Sequence, residues 1–123
     1  WFGKRDDSGS SLGDWYSDLD KLPEGVEGLS RKIEAMGLKF GLWFEPEMVN
    51  KISRLFEEHP DWVIKTPGRH MSHGRNQYVL DFSNPAVVDH IYQMMKKVLK
   101  KISKTLCLLK QLKKKLLENT IKI

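Results

Sequence analysis

The sequence is poor in cysteine: Cys107 stands alone among 123 residues. That excludes an intrachain disulfide framework and a cysteine zinc cluster. Long apolar runs are lacking too. No stretch reaches the roughly 18 apolar residues that a membrane-spanning helix needs. The N-terminus does not show the basic, then apolar, then small-residue order of a signal peptide, and Trp1 does not read as a true chain start. No Gly-rich turn follows the first strand-like segment, as a doubly wound nucleotide binder would require. Aspartate runs out early, with none after Asp89.

Charge is present but unevenly placed. The net +5 divides into a tail, residues 96–123, with ten lysines against one acid, Glu118, and a body, residues 1–95, with eleven basic and fifteen acidic residues. The tail is therefore +9 and the body −4. A nucleic-acid reading of the basic total would rest wholly on the tail. The hydrophobic share of 40% suffices for a modest core in a single domain.

Trp1-Phe2-Gly3 reads as the end of a strand. Residues 4–23 form a long polar loop with Trp15 and Tyr16 as buried anchors, a type of loop more often functional than idle. Residues 24–36 predict a helix with Val26, Leu29, Ile33 and Met36 on one face and Gly37 as its C-terminal cap. Residues 38–44 predict an apolar strand that Pro46 stops. A second helix is expected over residues 48–58 with Ile52, Leu55 and Phe56 inward, then a short extended piece at Trp62-Val63-Ile64. A polar loop over 68–77 leads into a strand over 78–82. Asn84-Pro85 starts a third helix, with Val87, Val88, Ile91, Met94, Met95 and Val98 as its buried stripe.

Strands alternating with helices imply parallel pairing with right-handed crossovers. A (β/α)8 barrel segment and a small doubly wound sheet both fit. The polar loops favour the barrel, because they lie at strand C-terminal ends or just before the next strand, the face where barrel enzymes place their chemistry.

Trp43 ends the 38–44 strand beside Glu45 and Glu47. An indole face next to carboxylates suits a sugar, whose C–H groups pack on the ring while acids accept its hydroxyls. A barrel-core tryptophan fits the same position. The spacing of Glu45 and Glu47 argues against the carboxylate pair of a glycosidase, which flanks a scissile bond and usually comes from different strands; with Pro46 between them, one ligand or structural acid and one solvated acid is the expectation. Arg75, in Gly74-Arg75-Asn76-Gln77, can fork onto two hydroxyls or form a loop salt bridge with Asp81 or Glu45. His70 and His73 lack acids or cysteines at zinc-motif spacing, so no metal is expected. Cys107 has no activating neighbour and reads as an incidental thiol. Leu106, Leu109, Leu112 and Leu116 recur among lysines at near-helical spacing, a pattern open to a cationic amphipathic helix.

Trp1-Phe2-Gly3-Lys4-Arg5-Asp6-Asp7, Ser11-Leu12-Gly13-Asp14-Trp15, the run from Gly37 to Val49, His59-Pro60-Asp61-Trp62-Val63, Gly74-Arg75-Asn76-Gln77 and Leu80-Asp81-Phe82-Ser83-Asn84-Pro85 closely resemble family 36 glycoside hydrolases. The similarity is continuous from Trp1 to about Leu99. These enzymes are α-galactosidases that act on melibiose and raffinose-type oligosaccharides with retention of configuration, on a central (β/α)8 TIM barrel flanked by β-sandwich domains. The resemblance implies that Trp43 contacts galactose and Arg75 binds sugar hydroxyls. It implies no cofactor, an α-galactoside as partner rather than nucleic acid or membrane, homo-oligomeric full-length relatives and a cytoplasmic location.

It also implies what is not here. The family's paired sugar-binding aspartates would precede Trp1. Its nucleophile, an aspartate in Lys-Trp-Asp, is expected near residues 105–112, which read Thr-Leu-Cys-Leu-Leu-Lys-Gln-Leu. The acid/base aspartate would follow Ile123, so no catalytic residue is expected in this chain. The expectation is an α/β fold: a partial barrel over residues 1–99, about three strands with their helices. Residues 100–123 follow as a divergent Lys/Leu-rich helical tail, read as frame-shifted or truncated. The expected function is that of an α-galactosidase fragment without turnover of its own, the alternative being a non-catalytic galactoside-binding remnant.

Overall fold

The computed structural model describes residues 1–68 and 76–102. Its regular elements there are α1 (Gly25–Ala35), β1 (Met48–Asn50), α2 (Arg54–Glu58), β2 (Gln77–Val79) and α3 (Pro85–Leu99).

α3 forms as its sequence dictates. The Asn84 side chain accepts the Ala86 N–H at 3.0 Å, and Pro85, which has no N–H to satisfy, occupies the first turn. Val87, Val88, Ile91, Met95 and Val98 are buried along one face. Val87, Ile91 and Met95 pack with Val49, Leu55, Val63, Tyr78 and Leu80 into the main core. Each such side chain contributes roughly 1.5–3 kcal/mol by leaving water.

α1 ends as expected, with Gly37 at φ +76°. The Gly37 N–H donates to the Glu34 carbonyl at 2.9 Å and the Leu38 N–H to the Ile33 carbonyl at 3.3 Å, the paired bonds of a Schellman ending. Its predicted apolar stripe is only partly used. Val26 and Ser30 are buried, whereas Met36 is 67% exposed.

Three expectations differ from the structure. Residues 48–58 are not one helix: β1 comes first, and α2 starts only after Ser53, whose hydroxyl accepts the Phe56 N–H at 3.1 Å. Ile52, expected inward, is 69% exposed. Residues 38–44 form no strand ladder with the described residues, although burial alternates: Phe40, Leu42 and Phe44 are half-buried and Lys39, Gly41 and Trp43 exposed. That alternation is a strand's pattern without a strand's partner. The regular pairing among the described residues is antiparallel, β1 with β2, in the register Met48↔Val79, Val49↔Tyr78, Asn50↔Gln77. The turn at Glu45–Met48, closed by a 3.2 Å bond from the Met48 N–H to the Glu45 carbonyl with Pro46 in its second position, redirects the chain so that β1 runs against β2. Val63 bridges Leu80 in the same sense, extending the pair at the expected 62–64 segment.

Two smaller clusters flank the main core: Phe2, Leu12 and Trp15, and Val26, Val98 and Ile102. Phe44 packs against all three clusters.

Candidate functional site

The 1–23 loop is anchored by its aromatic residues and by buried polar groups. Trp15 is 1% exposed, and its Nε1 has no hydrogen-bond partner among the described residues. Its predicted companion Tyr16 is instead 49% exposed. Asp14 reaches α2: its carboxylate accepts the Arg54 N–H at 3.0 Å and the Leu55 N–H at 3.1 Å. Burial pushes the Asp14 carboxyl above the ordinary carboxylate range, outweighing these two bonds, which pull it down. Farther out, Lys21 bonds Asp6 at 2.6 Å and the Arg5 carbonyl at 2.9 Å, and holds the Asp6 carboxyl low.

On this scaffold the aromatic residues form a continuous wall. Phe2 and Trp15 lie 4.4 Å apart between ring centroids, and Phe44 is 5.3 Å from Trp15. Trp1 stands 5.2 Å from both Phe2 and Phe44. Trp43 sits at the edge of this wall, 6.4 Å from Phe2 and 6.2 Å edge-on to Trp15. Its carbonyl accepts the Trp1 Nε1–H at 3.3 Å. Trp43 is 56% exposed. Trp15, and not Trp43, is the core tryptophan. Trp43 is a ring braced by two others with much of its surface open, an arrangement that offers an apolar platform to a ligand.

The backbone carbonyls of Glu45 and Glu47 serve the turn and the sheet: that of Glu45 accepts the Met48 N–H and that of Glu47 accepts the Leu80 N–H at 2.8 Å. Asp81, one suggested partner for Arg75, accepts the Ser83 N–H at 2.9 Å and its hydroxyl at 2.6 Å. Arg75 itself lies outside the described residues, as do His70, His73 and Cys107. Trp43 and Arg75 are therefore not brought together by any described distance. No group of three or more His, Cys, Asp or Glu among the described residues is arranged to hold a metal.

Two residues not singled out from sequence stand behind the wall. Arg5 lies over the Phe2 ring at 5.5 Å and donates to the Ser10 carbonyl at 2.6 Å. Asn50 is fully buried and bonds Arg5 at 3.1 Å. An Arg three residues beyond an aromatic pair is a weak signal, and Asn50 was concealed by the helix expected over its position.

The sequence model of the Melibiase family matches residues 1–120. The chain belongs to the Melibiase family. Within it, this melibiase-family chain is 50% identical over 99 residues to α-galactosidase AgaA of Geobacillus stearothermophilus, covering 80% of the chain and 14% of that protein. It is 46% identical over 100 residues to α-galactosidase 1 of Pediococcus pentosaceus, covering 81% of the chain and 14% of the relative. Among solved structures, the α-galactosidase of Lactobacillus brevis superposes with a TM-score of 0.79 at 47% identity, over 83% of this chain and 14% of that one. The family 36 enzyme AgaA of Geobacillus stearothermophilus, in a complex with raffinose, gives 0.77 at 50% identity, over 80% and 14%. The chain thus spans about one seventh of the length of these relatives.

Proposed function

We propose that the chain is part of the catalytic region of an α-galactosidase and supplies one wall of its galactoside-binding site, with Trp43 as stacking platform and Arg75 as hydroxyl ligand. The observation that carries this is the exposed, ring-braced indole of Trp43 in a chain half identical to α-galactosidases, one of them solved with raffinose bound. Residues 1–99 then make up part of a (β/α)8 barrel with 38–44 as one of its strands. The alternating burial of that segment supports the assignment. β1 and β2 are, on this reading, antiparallel decorations of the loops beyond the strand ends, where barrel enzymes elaborate their sites.

Retaining hydrolysis needs a nucleophile and a proton donor facing each other across the bond. The chain has no aspartate after Asp89, where the resemblance puts the nucleophile. Alone it binds sugar and does not turn it over.

Titration of the chain with galactose, followed by tryptophan fluorescence, tests this. A saturable change is expected and should vanish in Trp43→Ala. Because Trp43 is largely exposed, that variant should keep its stability to about 0.5 kcal/mol. An aryl α-galactoside should give no measurable hydrolysis. Saturation that survives Trp43→Ala, or steady turnover, would refute the assignment. A second reading, a non-catalytic galactoside-binding remnant, rests on the same platform combined with the absent nucleophile. The flanking DNA separates the two: aspartate codons upstream and a Lys-Trp-Asp triplet downstream favour the enzyme.

A further inference from the structure

The side chain of Asn50 is 0% exposed and uses its whole hydrogen-bonding capacity. Its Oδ1 accepts the Leu12 N–H at 2.8 Å and the Arg5 guanidinium at 3.1 Å. Its Nδ2 donates to the Asn76 carbonyl at 2.8 Å and to the Ser8 carbonyl at 3.3 Å. Two donors and two acceptor sites are all that an amide side chain owns. The backbone adds to the grip: the Asn50 N–H donates to the Leu12 carbonyl at 3.0 Å, and the Asn50 carbonyl accepts the Ser53 hydroxyl at 2.8 Å.

Three segments far apart in sequence therefore meet on one residue: the 5–12 loop, β1 and the start of β2. Each carries something different. Arg5 stands over Phe2, and Phe2 is one of the two rings that brace Trp43. Asn76 has φ +55°, the left-handed conformation that asparagine tolerates better than most residues, and it is where the chain turns into β2. A position that needed only packing would be filled at lower cost by leucine, since a buried amide is tolerated only when every polar atom is met. Here all are met, in one geometry. A fully satisfied buried network of this kind fixes the segments it joins.

We infer that Asn50 is a positioning residue for the galactoside-binding wall. It sets the separation between the Arg5–Phe2–Trp43 face and the start of β2. The inference rests on the galactoside reading above.

Two variants of the full chain test it. Asn50→Asp keeps acceptors for Leu12 and Arg5 but loses both donated bonds, to Asn76 and Ser8. Asn50→Leu loses all four. Amide hydrogen exchange reads the grip directly, and galactose titration by tryptophan fluorescence reads its consequence. In Asn50→Asp, exchange at the amides of β2 and Leu80 should accelerate about tenfold to a hundredfold while Leu12 stays protected, the loss expected for two hydrogen bonds. Galactose affinity should fall by more than the accompanying drop in unfolding midpoint accounts for, because the wall is displaced and not only loosened. Asn50→Leu should deprotect Leu12 as well, and if that variant fails to fold, Asn50→Asp alone decides. Galactose binding by Asn50→Asp as tight as the native chain's would overturn the inference. So would a loss of affinity that merely tracks a fall in unfolding midpoint, with Leu12 and β2 deprotected together. A native chain with no saturable galactose response would bring down the galactoside reading and the positioning role with it, whatever the exchange data show.

Discussion

Asp14 stands 40 residues before Arg54 and caps α2 across that gap. With its two carboxylate oxygens on the Arg54 and Leu55 N–H groups and the Ser53 hydroxyl on Phe56, the first three donors of α2 are satisfied. A five-residue helix has almost no stability of its own, so these bonds and the burial of Leu55 hold it. Asp14→Ala should cost about 2 kcal/mol in urea unfolding at pH 7, the upper part of the range for a lost helix cap, because two donors are orphaned. Its pH dependence has a definite sign. Burial raises the folded pKa of Asp14 above its unfolded value. The stability it contributes through proton binding is fully present below about pH 4 and is lost as pH rises through the folded pKa. Asp6, Glu24 and Glu58 shift the other way, each held low by a lysine or arginine partner, but they lie at the surface where water and salt screen such pairs. The difference in unfolding free energy between the native chain and Asp14→Asn isolates the group. It should decline as pH rises above about 4, and a flat or rising difference would contradict the assignment.

At the scale of elements, the two long helices were legible, and the short α2 and β1 were not. Asn84-Pro85 and Gly37 announce their helix ends by chemistry that acts within a few residues. α2 was hidden because five residues are too few to show a period, and the apolar spacing of Ile52, Leu55 and Phe56 ran on into β1. What makes β1 a strand lies 29 residues or so away in β2, and nothing local reports it. The same holds for the site. Trp43, the proposed platform, was singled out from its place at the end of an apolar run, whereas Arg5 and Asn50 make bonds to distant partners that no local pattern reports. Glycine provides a test at this scale. Gly37 adopts φ +76° with nothing within 4 Å of an added Cβ, so Gly37→Ala should cost about 1 kcal/mol through backbone strain alone. Gly13 adopts φ +102°, and its Cβ would meet Leu55 and Val49 at 3.0 Å. Gly13→Ala should therefore cost more than Gly37→Ala in the same urea titration, and the reverse order would mean that the 13–55 approach is looser than described.

For the molecule as a whole, stability depends on how its three apolar clusters are joined. Phe44 touches all of them, and Trp1 and Met94 each link two. The segment that displays Trp43 to solvent on one side is thus the same one that ties the interior together on the other. The cluster of Val26, Val98 and Ile102 depends on the residues just after α3. Ile102 is 8% exposed against Val26 and Val98, and it follows Lys100 and Lys101, which open the lysine-rich end of the chain. The apolar clamp on α1 consequently reaches into the stretch where composition turns basic. A chain ended after Leu99 should be less stable than one ended after Ile102 by about 1.5–3 kcal/mol, the value of one buried aliphatic side chain. The loss should be concentrated at α1, visible as faster amide exchange around Val26 and Ser30 while α3 near Val87 is unchanged. Equal stability of the two truncated chains would show that Val26 and Val98 hold α1 without Ile102.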